Sequence, residues 1–160
     1  MQTSAVSDSH DPRRLTPVEI AAWRGMLRAH ADLVRCLDAE LREAHDLSSH
    51  EYEVLLILDN APEGRLRMSD LAAAVVLTQS GLTRLVDRLV LAGAVERTRS
   101  ETDRRGLNAE LTAAGRARLE DARPTHLAGV RARFLDRFDE SELGVLAGFW
   151  ERVLPGATSA

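Results

Sequence analysis

Lysine is missing from this chain of 160 residues, and all 21 basic side chains are arginine. Guanidinium groups suit bidentate contacts to phosphate and guanine, but a coding bias gives the same count and is the preferred account of it. Cysteine is almost missing: Cys36 stands alone, which excludes an internal disulfide and a CxxC metal clip and leaves stability to packing. Long apolar runs are missing as well. The longest, at residues 71–77 and 89–95, fall far short of the roughly 20 residues a membrane span needs. Residues 1–14 lack the apolar stretch of a secretory signal, so no membrane association and a cytoplasmic location are expected. No GxSxG, P-loop, HExxH or GxGxxG occurs, and the scattered Ser, His and Asp have no nucleophile context, so the chain is not expected to be an enzyme. His30, His45, His50 and His126 form no HxxxH pair, and neither a metal nor a cofactor is expected.

What is present is a chain of single-domain size, 44% hydrophobic and 29% charged, able to build a core in water. Its net charge of −4 alone argues against a nucleic-acid partner, but the charge is unevenly spread. Residues 61–118 hold ten arginines against seven acids, while the remainder is net −7. The same middle contains none of the six aromatics, because Trp23, Tyr52, Phe134, Phe138, Phe149 and Trp150 lie towards the ends. A polar, locally basic module is flanked by bulkier packing segments.

Residues 1–14 are nearly devoid of apolar side chains and are expected to form a disordered tail. Thr16, Pro17 and Glu19 then supply an N-cap, a first-turn proline and a capping box, with Leu15 stapled to Ile20. Ile20, Trp23, Leu27, Ala31, Val34, Leu37 and Leu41 recur every three or four residues and carry a helix to about Ala44. Ser48 and Glu51 open a second helix in the same way, which ends at Ala61-Pro62-Glu63-Gly64. A short strand follows at Arg65-Leu66-Arg67. After it come a helix capped by Ser69, a turn at Val76-Leu77, and a helix capped by Thr78 that Gly93 terminates. Two short helices joined by a tight turn form a helix-turn-helix.

In the second of these helices Leu82, Leu85, Val86 and Leu89 share the inward face, while Gln79, Ser80, Thr83, Arg84, Asp87 and Arg88 face outward. Residues 94–99 and 107–111 alternate as a hairpin with a charged tip. Thr112 caps a further helix with apolar positions from Leu119 to Phe138, expected to kink at Pro124 against the carbonyl of Glu120. Asp139 and Glu142 form a third capping box ahead of Leu146, Phe149, Trp150 and Val153. The expected fold is mainly α with a small β wing: a winged helix-turn-helix at about 61–112, flanked by helices at about 16–45 and 113–154, within one domain spanning 15–154.

Three blocks carry a family resemblance: Leu66-Arg67-Met68-Ser69-Asp70-Leu71-Ala72; Gln79-Ser80-Gly81-Leu82-Thr83-Arg84-Leu85-Val86-Asp87-Arg88-Leu89; and Asp103-Arg104-Arg105 followed by Leu111-Thr112-Ala113-Ala114-Gly115. On these, the chain from about 18 to 154 resembles the multiple-antibiotic-resistance regulator (MarR) family of bacterial transcription regulators. The resemblance implies a homodimer with intertwined first and last helices, and two recognition helices flanked by two wings on a roughly palindromic operator. It also implies a repressor released by a small, often phenolic, anionic effector. It makes Arg105 the residue a wing inserts, and Asp103 a structural acid that shapes the wing tip.

Physical reasoning runs parallel. A helix fits the major groove, where Arg bridges guanine O6 and N7, which assigns base reading to Arg84 and positioning to Ser80 and Thr83, beside Gln79. Arg88, one turn later, either pairs with Asp87 or a wing acid or meets a phosphate. Arg104 and Arg105 suit the negative potential of a minor groove. One recognition helix buries too little for tight binding, so a two-fold dimer on double-stranded DNA follows. Trp23, His30 and Tyr52 are candidates to line a cavity for an aromatic or anionic effector, with plain packing as the alternative for each. Two further readings stay open: a winged-helix module that binds protein instead of DNA, and a redox-sensing regulator using Cys36, whose only basic flank is Arg35.

Overall fold

The computed structural model describes residues 14–75, 79–99 and 106–158. The first helix, α1 (Pro17–His45), starts on the Thr16–Glu19 capping box and ends at Asp46 in the left-handed conformation. A second capping box, Ser48–Glu51, opens α2 (Ser49–Asn60), and a 3₁₀ turn at Pro62–Gly64 leads into strand β1 (Arg65–Arg67). Next come α3 (Met68–Ala74), α4 (Gln79–Leu91), strands β2 (Val95–Arg99) and β3 (Leu107–Leu111), α5 (Ala113–Arg133) and α6 (Glu140–Val153). The three strands form one antiparallel sheet in the order β1-β3-β2, with Leu66 opposite Ala109 and Arg97 opposite Ala109 on the other side.

Two expectations are corrected. Ser69 does not cap α3: the helix starts directly from β1 at Met68, its N-cap Arg67 makes no side-chain capping bond, and the Ser69 hydroxyl donates to Asp70 instead. Strand pairing with β3 holds Arg65–Arg67 extended right up to the first helical turn, which sets the start of the helix at Met68. The helix after Thr112 continues across Pro124, as its apolar positions suggested, but it ends at Arg133 rather than near Phe138. At Gly129 a Cβ would fall 2.7 Å from a Leu37 side-chain carbon and meet the Glu40 carboxylate, so α5 lies close against α1 there and a larger residue would displace those side-chain ends. The Thr78 cap and the Val76-Leu77 turn lie outside the described residues.

The core is built by α2 (Tyr52, Val54, Leu55, Leu58), α3 (Leu71, with Val75 just beyond), α4 (Leu82, Leu85, Val86, Leu89), the wing (Val95, Ala109) and the first half of α5 (Leu119, Ala122). From α1 only Leu41 reaches it, and α6 buries no residue. Polar contacts then fasten α1 to α5. His45 Nδ1 lies 3.0 Å from an Asp121 carboxylate oxygen and its Nε2 2.8 Å from the Thr125 hydroxyl, while Arg118 donates to the carbonyls of His45 and Asp46.

Thr112 and Gly115 join the wing to α5. The Thr112 hydroxyl donates to the Gly93 carbonyl at 2.7 Å and accepts from the Gly115 N–H at 3.0 Å. A Cβ on Gly115 would lie 2.0 Å from the Ala94 carbonyl oxygen, an overlap no backbone neighbour can relieve. Gly93, at φ +70°, makes the turn that sends the chain from α4 into the sheet.

Candidate nucleic-acid interface

Amphipathicity orients α4. Leu82, Leu85, Val86 and Leu89, at i, i+3, i+4 and i+7, are each no more than 4% exposed, which forces the opposite face outward. Ser80, Thr83, Arg84, Asp87 and Arg88 are on that exposed face, and Gln79 is the first residue of the helix. The outward placement read for Ser80, Thr83, Arg84, Asp87 and Arg88 matches the structure, but the sequence did not resolve what each one holds. Arg84 makes no hydrogen bond or ion pair with the described residues, so its guanidinium keeps its full donor set for an outside acceptor.

Arg88 differs. Its Nε donates to Glu51 Oε1 at 2.9 Å, so the acid it faces belongs to α2, and the expectation of pairing with Asp87 is corrected. Asp87 is taken by Arg97 of β2, at 2.6 Å. The other Arg97 nitrogen donates to the Thr83 carbonyl at 3.3 Å. Sequence reasoning missed both Glu51 and Arg97, because the capping box already explained the first and the alternation of a five-residue strand gave no hint of the second. Burial pushes the Glu51 carboxyl up, but bonds from the Ser48 hydroxyl, the Ser48 backbone and Arg88 outweigh it and leave the group below the usual glutamate range.

The wing strands β2 and β3 stand beside α4, and the tip that joins them carries Asp103, Arg104 and Arg105, which lie outside the described residues. Of the effector candidates, Trp23 lines a surface cavity of about 520 Å³ with Leu15, Ile20, Arg24 and Leu27. His30 lines a different, almost wholly apolar cavity of about 490 Å³, with Met26, Leu33, Phe134 and Trp150 among its walls. Tyr52 lies in the core, 3% exposed, its ring 4.4 Å from that of His126. The structure therefore does not bring the three together. Cys36 is half-buried, with its sulfur 4.0 Å from an Asp32 oxygen; Arg35, its basic neighbour, pairs with that same Asp32. Among the described residues no cluster of three or more His, Cys, Asp or Glu is arranged to hold a metal ion, and no helix is long and apolar enough to cross a membrane.

A solvent-facing amphipathic helix with an unengaged arginine, preceded by a short helix and followed by a three-stranded wing, defines a winged helix-turn-helix protein of the DNA-binding class. Comparison with known proteins narrows this. The MarR family profile matches residues 45–106. The chain is 35% identical to AbsC, a MarR family transcriptional regulator from Streptomyces coelicolor, with 88% of this chain and 95% of that one covered at a TM-score of 0.83. It is 32% identical to Sco3205, a MarR family regulator of the same organism solved in complex with DNA, covering 94% of each chain at a TM-score of 0.86. Against the transcriptional repressor YetL of Bacillus subtilis it is 32% identical over 110 residues, which span 67% of this chain and 66% of YetL, just under two thirds. The chain belongs to the MarR family of transcriptional regulators.

Proposed function

We propose that this protein is a ligand-responsive transcriptional repressor that binds a palindromic operator as a homodimer in the cytoplasm, and that it is not an enzyme. The observation that carries the reading is the outward face of α4, where Arg84, without a partner among the described residues, stands above a buried apolar seam. In a major groove that guanidinium bridges guanine O6 and N7, with Gln79, Ser80 and Thr83 on the preceding turn reaching base edges or phosphate. Arg104 and Arg105 at the wing tip enter the flanking minor groove, and Asp103 shapes the tip. Sco3205, solved with DNA, supports the same mode of use for this fold.

Dimerisation is supported by exposed apolar side chains on the two terminal helices. Val18 is 77% exposed and Trp23 55% on α1, and Val145, Phe149, Trp150 and Val153 are open on α6. Helices at about 16–45 and 113–154 thus serve as the dimer lobe and residues 61–112 as the reading lobe. Two reading helices about 34 Å apart match successive major grooves on one side of a duplex. An effector acts by favouring a dimer whose helices are spaced differently. The deciding experiment selects duplexes from a random pool with the full chain, followed by gel shift on the winner. Enrichment of an inverted repeat with half-sites one helical turn apart supports the reading, and no enrichment overturns it.

A further inference from the structure

The recognition helix is held from two sides at consecutive positions, by pairs of opposite polarity. Asp87 is gripped by Arg97 of the wing, and Arg88 by Glu51 of α2. Glu51 belongs to a longer polar thread. Its second oxygen accepts the Ser48 backbone N–H at 2.8 Å and the Ser48 hydroxyl at 2.7 Å. One residue on, the Ser49 N–H donates to Asp38 of α1 at 2.8 Å, and Arg42 donates to the other oxygen of that carboxylate at 2.6 Å. The start of α2 is therefore tied to α1 on one side and to α4 on the other.

Burial of Leu82, Leu85, Val86 and Leu89 fixes the depth of α4 but is non-directional, so a small roll about the helix axis costs that seam little. Charge-assisted hydrogen bonds are directional and resist such a roll. Arg84 and Arg88, four residues apart, share one face of the helix, so whatever fixes the azimuth of Arg88 also fixes that of Arg84. The Glu51 end of the bridge is mostly buried, its side chain 12% exposed, whereas Arg88 is 57% exposed. The anchored acid holds the arginine in place.

We infer that Arg88 is a positioning residue: its bridge to Glu51, opposed by Arg97–Asp87, sets the roll of α4 and with it the base that Arg84 meets. Arg88 on this view does not serve as a phosphate contact. The inference rests on the DNA-reading role proposed above, and it separates sharply from the phosphate alternative. Were Arg88 a phosphate contact, freeing it from Glu51 would tighten binding to every duplex.

The test uses the full chain, the duplex enriched by the wild-type protein, and a shuffled duplex of equal composition. Glu51→Gln removes the charge but keeps the capping box, which glutamine also closes. Glu51→Gln and Arg88→Gln are each expected to lower the enriched-to-shuffled affinity ratio about fivefold, and the double variant no further, the non-additivity of a shared contact. The salt dependence on the enriched duplex stays unchanged in Arg88→Gln. Arg88→Lys, which keeps the charge without the guanidinium geometry, also loses discrimination, and it carries the test should Glu51→Gln fold poorly. Three outcomes overturn the inference: Arg88→Gln weakening both duplexes equally with a salt slope shallower by about 1, Glu51→Gln tightening both duplexes, or an unchanged ratio in Arg88→Gln and Arg88→Lys. A wild-type protein that enriches no duplex overturns the DNA reading itself, an outcome visible before any variant is made.

Discussion

Arg84 and Arg88 are chemically identical and one helical turn apart, yet their surroundings assign them different tasks. Arg84 has no partner among the described residues, whereas Arg88 is committed to Glu51. Arg84→Ala is expected to cost about 1 to 3 kcal/mol of operator binding and to relax preference at one base position, measured by gel shift on single-base variants of the selected duplex. At the wing tip, Arg105→Ala is expected to weaken binding to all duplexes alike and to flatten the logarithmic salt dependence by about 1, as loss of a backbone contact does.

His126 offers a different test. Burial, with Tyr52 against the ring, holds its imidazole below the ordinary histidine value, and Nδ1 is buried without a hydrogen-bond partner among the described residues. Because the unfolded chain takes up the proton first, this residue contributes stability above about pH 6.5 that is lost as pH falls through the lower folded value. Melting temperature is expected to drop over that window, and His126→Phe, which keeps an aromatic ring against Tyr52, to flatten the drop. The inward and outward faces of α4 were legible from period alone. The partners of Arg88 and Arg97 were not, because Glu51 lies 37 residues from Arg88 and nothing local marks a pair closed only by the tertiary fold.

Among the elements, those that begin on a side-chain cap were readable. The boxes at Thr16–Glu19, Ser48–Glu51 and Asp139–Glu142 all form, and Thr112 caps α5 as its position suggested. Each is decided within four residues of chain. The start of α3 was misplaced because strand pairing to β3, as in Arg67 opposite Asn108 far along the chain, sets it. Gly115 is the sharpest probe at this level. Gly115→Ala is expected to destabilise the fold by roughly 2 to 3 kcal/mol through overlap with the Ala94 carbonyl, measured by denaturant unfolding.

For the molecule as a whole, the uneven charge and the exclusion of aromatics from the middle foreshadowed the division of labour. The basic helix-turn-helix and wing lie between helices whose large apolar side chains stay exposed in a single chain. Trp150→Asp or Phe149→Asp is expected to convert a dimer to a monomer in sedimentation at micromolar concentration, and to weaken operator binding with it. The effector site was the least legible part. Trp23, His30 and Tyr52 share an aromatic or imidazole character but sit in two separate cavities and the core, and one-dimensional spacing carries no information about which helices leave a gap between them.

No residue of the last helix is fully buried within its own chain: Leu143 and Leu146 are half-buried, and Val145, Phe149, Trp150 and Val153 stay exposed. A segment with so little surface to condense upon gains little by ordering alone, so its final docking waits for an encounter between two polypeptides. Refolding from denaturant is therefore expected to show a fast concentration-independent phase followed by a second-order one whose rate rises in proportion to protein concentration. Newly made chains at low abundance would linger with their sticky ends uncovered, which links the onset of repression to how quickly copies accumulate and meet.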